Sequence, residues 1–219
     1  MAAHRKVLSP QNPNNPAGRS TRSLISEPDT RGVRGWKHHS SRLAFKLGRF
    51  RVLEDHWTDP DGARVAFPIV RSPSFSCVIG LTDDHEIPLV ENLHPSPGLR
   101  LLEIPGGRVE PGEAPRAAAR RELEEETGWK ARTLLPIGRY YPNSHWGTFQ
   151  GQFFLGEGLR RGSPHPDPGE SVRPILLPVG EVYRRLHRGR FLAGSTIVGL
   201  HLAEDHLRRK GLLPSAGVP

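Results

Sequence analysis

Apolar and polar positions divide the chain into two regimes. Up to residue 40, apolar residues are sparse and follow no period; from residue 43 onward, short apolar or alternating runs sit between turn signals. Residues 45–56 read as a strand, and Asp59-Pro60-Asp61-Gly62 as a turn. Further short strands are predicted over 64–71, 74–81 and 87–91, with Asp83-Asp84 turning the chain between the last two. Another, over 101–104, runs into Pro105-Gly106-Gly107. Residues 115–127 predict a helix. Pro115 suits the first helical position, where its missing N–H costs nothing, Ala117, Ala118 and Ala119 favour the helix, and Gly128 supplies a left-handed stop. Strands return over 132–140 and 148–156, followed by a Pro/Gly loop over 160–170 and a strand over 172–177. Two helices close the pattern, one over 180–187 and one over 196–210, the latter with Ser195 as N-cap and Gly211 as its stop. This order predicts a mixed sheet covered by helices, and no internal repeat is present.

Charge separates the same two regimes. Residues 1–49 hold ten Lys/Arg against two Asp/Glu, whereas residues 50–219 hold 21 of each. The surplus of +8 therefore belongs to the N-terminal stretch, and the folded body is not expected to bind nucleic acid. Residues 1–40 read as a basic, disordered extension and residues 41–215 as one α/β domain. Acids are sparse before Glu27, as in a mitochondrial leader, but Pro10, Pro13 and Pro16 spoil the amphipathic helix such a leader needs. No apolar run approaches membrane-spanning length and no signal-peptide core is visible, so a cytoplasmic protein without membrane contact is expected. The single cysteine, Cys77, excludes an intrachain disulfide and a multi-cysteine zinc site, and its strand setting reads as a buried, inert thiol.

Candidate chemistry concentrates in residues 105–129, PGGRVEPGEAPRAAARRELEEETGW. On the predicted helix Glu122, Glu125 and Glu126 lie at i, i+3 and i+4, which puts three carboxylates on one face, with Glu124 nearby. The arrangement is locally unfavourable, because the acids repel one another and oppose the helix macrodipole. A divalent cation such as Mg²⁺, which prefers carboxylate oxygens, would resolve the conflict. A solvated acidic face partnered by Arg120 and Arg121 is the other reading of the cluster taken alone.

Gly107, five residues, Glu113, seven residues and then Arg-Glu-Leu-Glu-Glu-Glu-Thr-Gly-Trp match the Nudix box, with Trp129 where a smaller aliphatic residue is usual. The chain thus resembles the Nudix hydrolase family over roughly residues 43–210, and within it the ADP-ribose pyrophosphatase-like branch. Leu102-Glu103-Ile104-Pro105-Gly106-Gly107 looks like that branch's approach to the box. Tyr141-Pro142-Asn143-Ser144 and the stretch from Gly189 to Leu202 match it more loosely. The resemblance implies an α/β/α sandwich with a mixed central sheet. It implies hydrolysis of a nucleoside diphosphate derivative, ADP-ribose or a related nucleotide sugar first, with Mg²⁺ as cofactor and Mn²⁺ as a substitute.

By the same resemblance, Glu122, Glu125 and Glu126 would ligate metal with the backbone at Gly106 or Gly107, and Arg121 would orient them by pairing with Glu113. The base would be a downstream loop acid, for which Glu170 is best placed; Glu113, Glu126, His145 and His94 are the alternatives. Glu91-Asn92-Leu93-His94 stands where the branch carries Gln-Tyr-Arg, so one expected arginine is replaced by His94. Glu103, Tyr141, Trp146 and His94 are the candidate substrate contacts, each also readable as packing, rim or loop. Dinucleoside polyphosphates, RNA 5′ ends and a non-catalytic nucleotide sensor are the competing functions, and a homodimer is the expected assembly if any forms.

Overall fold

The computed structural model describes residues 34–165 and 171–214, so most of the N-terminal extension lies outside the described residues. The strand β1 (Lys37–Leu47) already begins inside the stretch assigned to that extension. It pairs with β2 (Phe50–Thr58), and β2 pairs with β3 (Arg64–Arg71), in an antiparallel sheet. The single strand expected over 45–56 is therefore a hairpin. Gly48, at φ 57°, turns the chain where an L side chain would be strained.

The central sheet has the order β7-β4-β9-β8 and is mixed. Its middle strand β4 (Phe75–Gly80) runs parallel to β9 (Gly151–Arg161) and antiparallel to β7 (Gly106–Arg108); β8 (Trp129–Tyr140) is antiparallel to β9. Residues 76–80 of β4 are all buried, as expected of a strand covered on both faces. Strand alternation sends its side chains into two cores. Val78 packs with Ala119, Leu123, Leu134 and Phe154 beneath α1 (Pro115–Thr127). Cys77 and Ile79 pack with Phe153, Leu155, Leu200 and Ala203 against α3 (Gly194–Arg209). A second antiparallel sheet, β10-β5-β6, carries α2 (Val179–His187). Its strands are β5 (Glu86–His94), β6 (Leu99–Glu103) and β10 (Val172–Pro178). The result is the α/β/α sandwich with a mixed central sheet that the box implied.

Two departures from the expected elements have local causes. Gly106 and Gly107, read as loop, form β7, paired with Cys77 and Ser76 of β4, and it is the missing Cβ of Gly106 that lets the strand lie flat there. Helix α3 starts at Gly194 with Ala193 at the N-cap position and no side-chain cap. Ser195 is thus inside the helix, and the Thr196 hydroxyl accepts the Ile104 N–H at 3.1 Å, fixing the strand that leads into the Gly-rich loop.

Candidate active site

Pro115, the alanines and Gly128 outweigh the repulsion among the acids, and the helix occupies the predicted span. Pro115 opens α1 and Gly128, at φ 73°, closes it with its N–H on the Glu124 carbonyl. The helix buries Ala118, Ala119, Glu122, Leu123, Glu126 and Thr127. Two carboxylates thus share the face that packs on the sheet. Burying carboxylates is costly unless each is hydrogen-bonded or paired.

The structure partners Glu122, with Glu113 and Glu125, through one guanidinium, and Glu126 through a backbone N–H. Arg121 Nε donates to Glu113 Oε1 at 3.0 Å, and Nη2 to Glu113 Oε2 at 3.2 Å and to the Arg108 carbonyl at 3.0 Å. Its Nη1 donates to Glu122 Oε1 and to Glu125 Oε2, both at 2.8 Å. All five donors of the side chain are used. The Arg121 charge is held firmly by these acids, Glu113 first, and Arg121 in turn holds the Glu113 carboxyl below the usual glutamate range. Glu113 Oε2 also accepts the Glu110 N–H at 2.9 Å, and Arg49 reaches Glu110 from the β1–β2 turn at 2.6 Å.

The Gly-rich strand closes the site from the other side. Gly106 N–H donates to Glu126 Oε2 at 2.9 Å. A Cβ on Gly107 would stand 2.3 Å from Glu122 Oε1, so any side chain there would displace that carboxylate. A Cβ on Gly106 would meet the Ser76 carbonyl at 2.6 Å and Cys77 Sγ at 2.7 Å. Cys77 is buried, and burial first, then the charges of Glu126, Glu103 and Glu122, push its thiol far up. The thiol is inert, and the same carboxylates gather around it.

These are oxygen donors of the kind Mg²⁺ and Mn²⁺ prefer, with buried carboxylates beside a backbone that lacks side chains, so the donor set fits a hard divalent cation. Among the described residues, no three His, Cys, Asp or Glu side chains converge on a single point as a finished metal cage. The positive charge between Glu122 and Glu125 is that of Arg121.

The remaining candidates are placed less uniformly. His94 Nε2 lies 2.5 Å from Glu103 Oε2, so two proposed substrate contacts are bound to each other across the β5–β6 hairpin. Tyr141 and Trp146 sit half-exposed on the loop after β8; the Tyr141 hydroxyl accepts Gln150 Nε2 at 2.5 Å, and the Trp146 carbonyl accepts the Val70 N–H. His145 is on the same exposed loop. Glu170 lies outside the described residues. The approach to it is visible: Gly162 N–H donates to the Gly128 carbonyl at 2.6 Å and His165 N–H to the Glu125 carbonyl at 2.9 Å, docking this stretch on the end of α1. Neither that docking nor the carbonyl contact of Arg108 was legible in sequence, since both depend on backbone groups brought in by distant segments.

Comparison with known proteins agrees with this geometry. A model of the NUDIX domain matches residues 70–194. An ADP-ribose pyrophosphatase of Bacillus subtilis is 35% identical over 100 residues, covering 46% of this chain and 54% of the relative. One from Mycobacterium tuberculosis is 28% identical over 154 residues, covering 69% and 74%. Among solved structures, one described as an ADP compounds hydrolase superposes with a TM-score of 0.72 at 19% identity, covering 82% of this chain and 98% of that one. The match to the Bacillus enzyme thus spans about half of its length, and the solved structure speaks for the fold alone.

Proposed function

The chain belongs to the Nudix family, and on that premise we propose that it hydrolyses the diphosphate linkage of a nucleoside diphosphate derivative, ADP-ribose or a related nucleotide sugar first. The observation that carries this reading is the Arg121-centred set of Glu113, Glu122 and Glu125, closed by Gly106 and Gly107. The names of the Bacillus and Mycobacterium relatives favour ADP-ribose among nucleotide substrates.

Glu122, Glu125 and Glu126, with the backbone at Gly106 or Gly107, are the residues that would hold divalent metal, Mg²⁺ in the first instance. When bound, that metal supplies charge neutralisation for the diphosphate and a more acidic water. The chain's own residues do the positioning. Arg121 fixes the directions of two carboxylates while spending its remaining donors on Glu113 and the Arg108 carbonyl. Gly106 N–H fixes a third carboxylate. Glu103, steadied by His94, lies next in the strand before the loop and is suited to accept a ribose hydroxyl. Tyr141 and Trp146 offer rings on which a base can stack. Glu170 is assigned as the base that takes the proton of the attacking water. Its support is the docking of the preceding segment on Glu125.

The test is steady-state hydrolysis of a panel containing ADP-ribose, NADH, dinucleoside polyphosphates and capped RNA, with Mg²⁺ and with Mn²⁺. The expected result is highest kcat/KM on ADP-ribose or a nucleotide sugar; a preference for capped RNA or dinucleoside polyphosphates would overturn the substrate reading. Glu170→Gln is expected to cut kcat more than it raises KM, by about 100-fold or more for loss of a general base. An unchanged kcat would move the base to another acid.

A further inference from the structure

We propose that a concavity at the C-terminal end of α2, far in sequence from the acid-bearing loop and helix, binds an oligophosphate anion. Its lining is Glu181, Arg184, Arg185, Arg188 and Arg190, around a volume of about 520 Å³. Four guanidiniums face one carboxylate. Glu181 pairs with Arg184 at 2.5 Å and Arg185 at 2.6 Å, while the exposed side chains of Arg188 and Arg190 make no hydrogen bond or ion pair among the described residues. The hollow therefore carries a net charge of +3, although residues 50–219 as a whole are balanced.

The concentration is built by the backbone. Helix α2 ends at His187, and Gly189 at φ 63° turns the chain back, with its N–H on the Leu186 carbonyl and the Arg190 N–H on the Arg185 carbonyl. Phe191, buried in the core, anchors the return. That turn brings Arg190 alongside the helix end. Cations in the last helical turn are favoured by the macrodipole, which accounts for Arg184 and Arg185. It does not account for Arg190, which lies beyond the helix, nor for Arg188, a like charge one turn after Arg184 that repels it. Arginines that repel one another around a hollow are suited to an anion able to take several paired N–H donors at once. A phosphate group carries about −1.5 to −2 at neutral pH. One phosphate would leave charge and most of the volume unused, whereas two linked phosphates, at about −3 to −4, balance the +3, and a third occupies more of the hollow.

The ligand chemistry is thus a linear oligophosphate, either inorganic or at the end of a nucleotide. Calorimetric titration of the full chain with inorganic tripolyphosphate, ATP and orthophosphate, in chelator to silence divalent-dependent binding at α1, tests it. Tripolyphosphate and ATP are expected to bind one competing site, with orthophosphate much weaker. The double variant Arg188→Ala/Arg190→Ala should lose about 10-fold affinity or more, since each removed arginine strips charge-assisted hydrogen bonds. A surface control, Arg116→Ala/Arg132→Ala, should lose none, and unchanged melting temperatures would exclude misfolding. Tight ATP binding without tripolyphosphate binding would overturn the proposal. So would no binding at all, unchanged affinity in the double variant, or an equal loss in the control.

Discussion

Helices α1 and α2 solve opposite problems with the same residue types. In α1 one arginine holds three glutamates; in α2 one glutamate holds two arginines with two more beside it. The glutamates around Arg121 have side chains 10–18% exposed, whereas Arg184 and Arg185 are 56% and 41% exposed. The environment, rather than the count of charges, separates them. Around Arg121 the ion pairs are partly desolvated, and losing a partner strands charge in the protein. Around Glu181 water screens each pair, so little stability rests on any one of them and the positive charge stays available to a ligand.

The largest expected effect lies in α1. Glu126→Gln should lower divalent-dependent turnover by at least about 100-fold, the upper range for groups that merely support a metal ligand. Full turnover in that variant would remove the metal role from this helix. Next comes a direct contrast in stability. Arg121→Ala should cost about 2–3 kcal/mol in denaturant unfolding without divalent ion, somewhat less than for a fully buried pair because Arg121 is 31% exposed. Added Mg²⁺ should restore part of it. Arg185→Ala should cost less than about 1 kcal/mol and ignore Mg²⁺. Equal losses in the two variants would erase the distinction between the two helices.

The two glycines sharpen it further. Gly106→Ala drives a methyl into the β4 backbone and should destabilise by about 1–3 kcal/mol. Gly107→Ala meets only the end of the Glu122 side chain, so its effect should appear in kcat before it appears in melting temperature. The smallest effect is at Glu181, whose carboxyl the Arg185 hydrogen bond, with Arg184 and Arg188 nearby, holds below the ordinary glutamate range. In an NMR titration Arg185→Ala should move it back up. The sign follows from linkage. Any stability from this group is present above the ordinary glutamate pKa and lost as pH falls through the lowered value.

What could be read in sequence tracks how local each signal is. Helix α1 was legible to its ends because Pro115, the alanines and Gly128 are self-sufficient. The pairing of Arg121 with Glu113 was legible through the family pattern. Strand β7 was not, since glycines carry no side-chain pattern and only β4 reveals their pairing. The hairpin at Gly48 was missed because apolar residues continue on both sides of it. His94 and Glu103 both stood out as candidates, but their mutual bond depends on the β5–β6 register. The hollow at α2 was invisible because Arg190 joins the other arginines only through the Gly189 turn.

Cys77 lies directly under Gly106 and is the chain's single thiol. While the Gly-rich strand stays in place, the thiol is covered and protonated. A thiol reagent can therefore reach it only when the strand lifts from β4. The protein carries its own stopwatch for breathing of the active site, readable by labelling rate with no engineered probe.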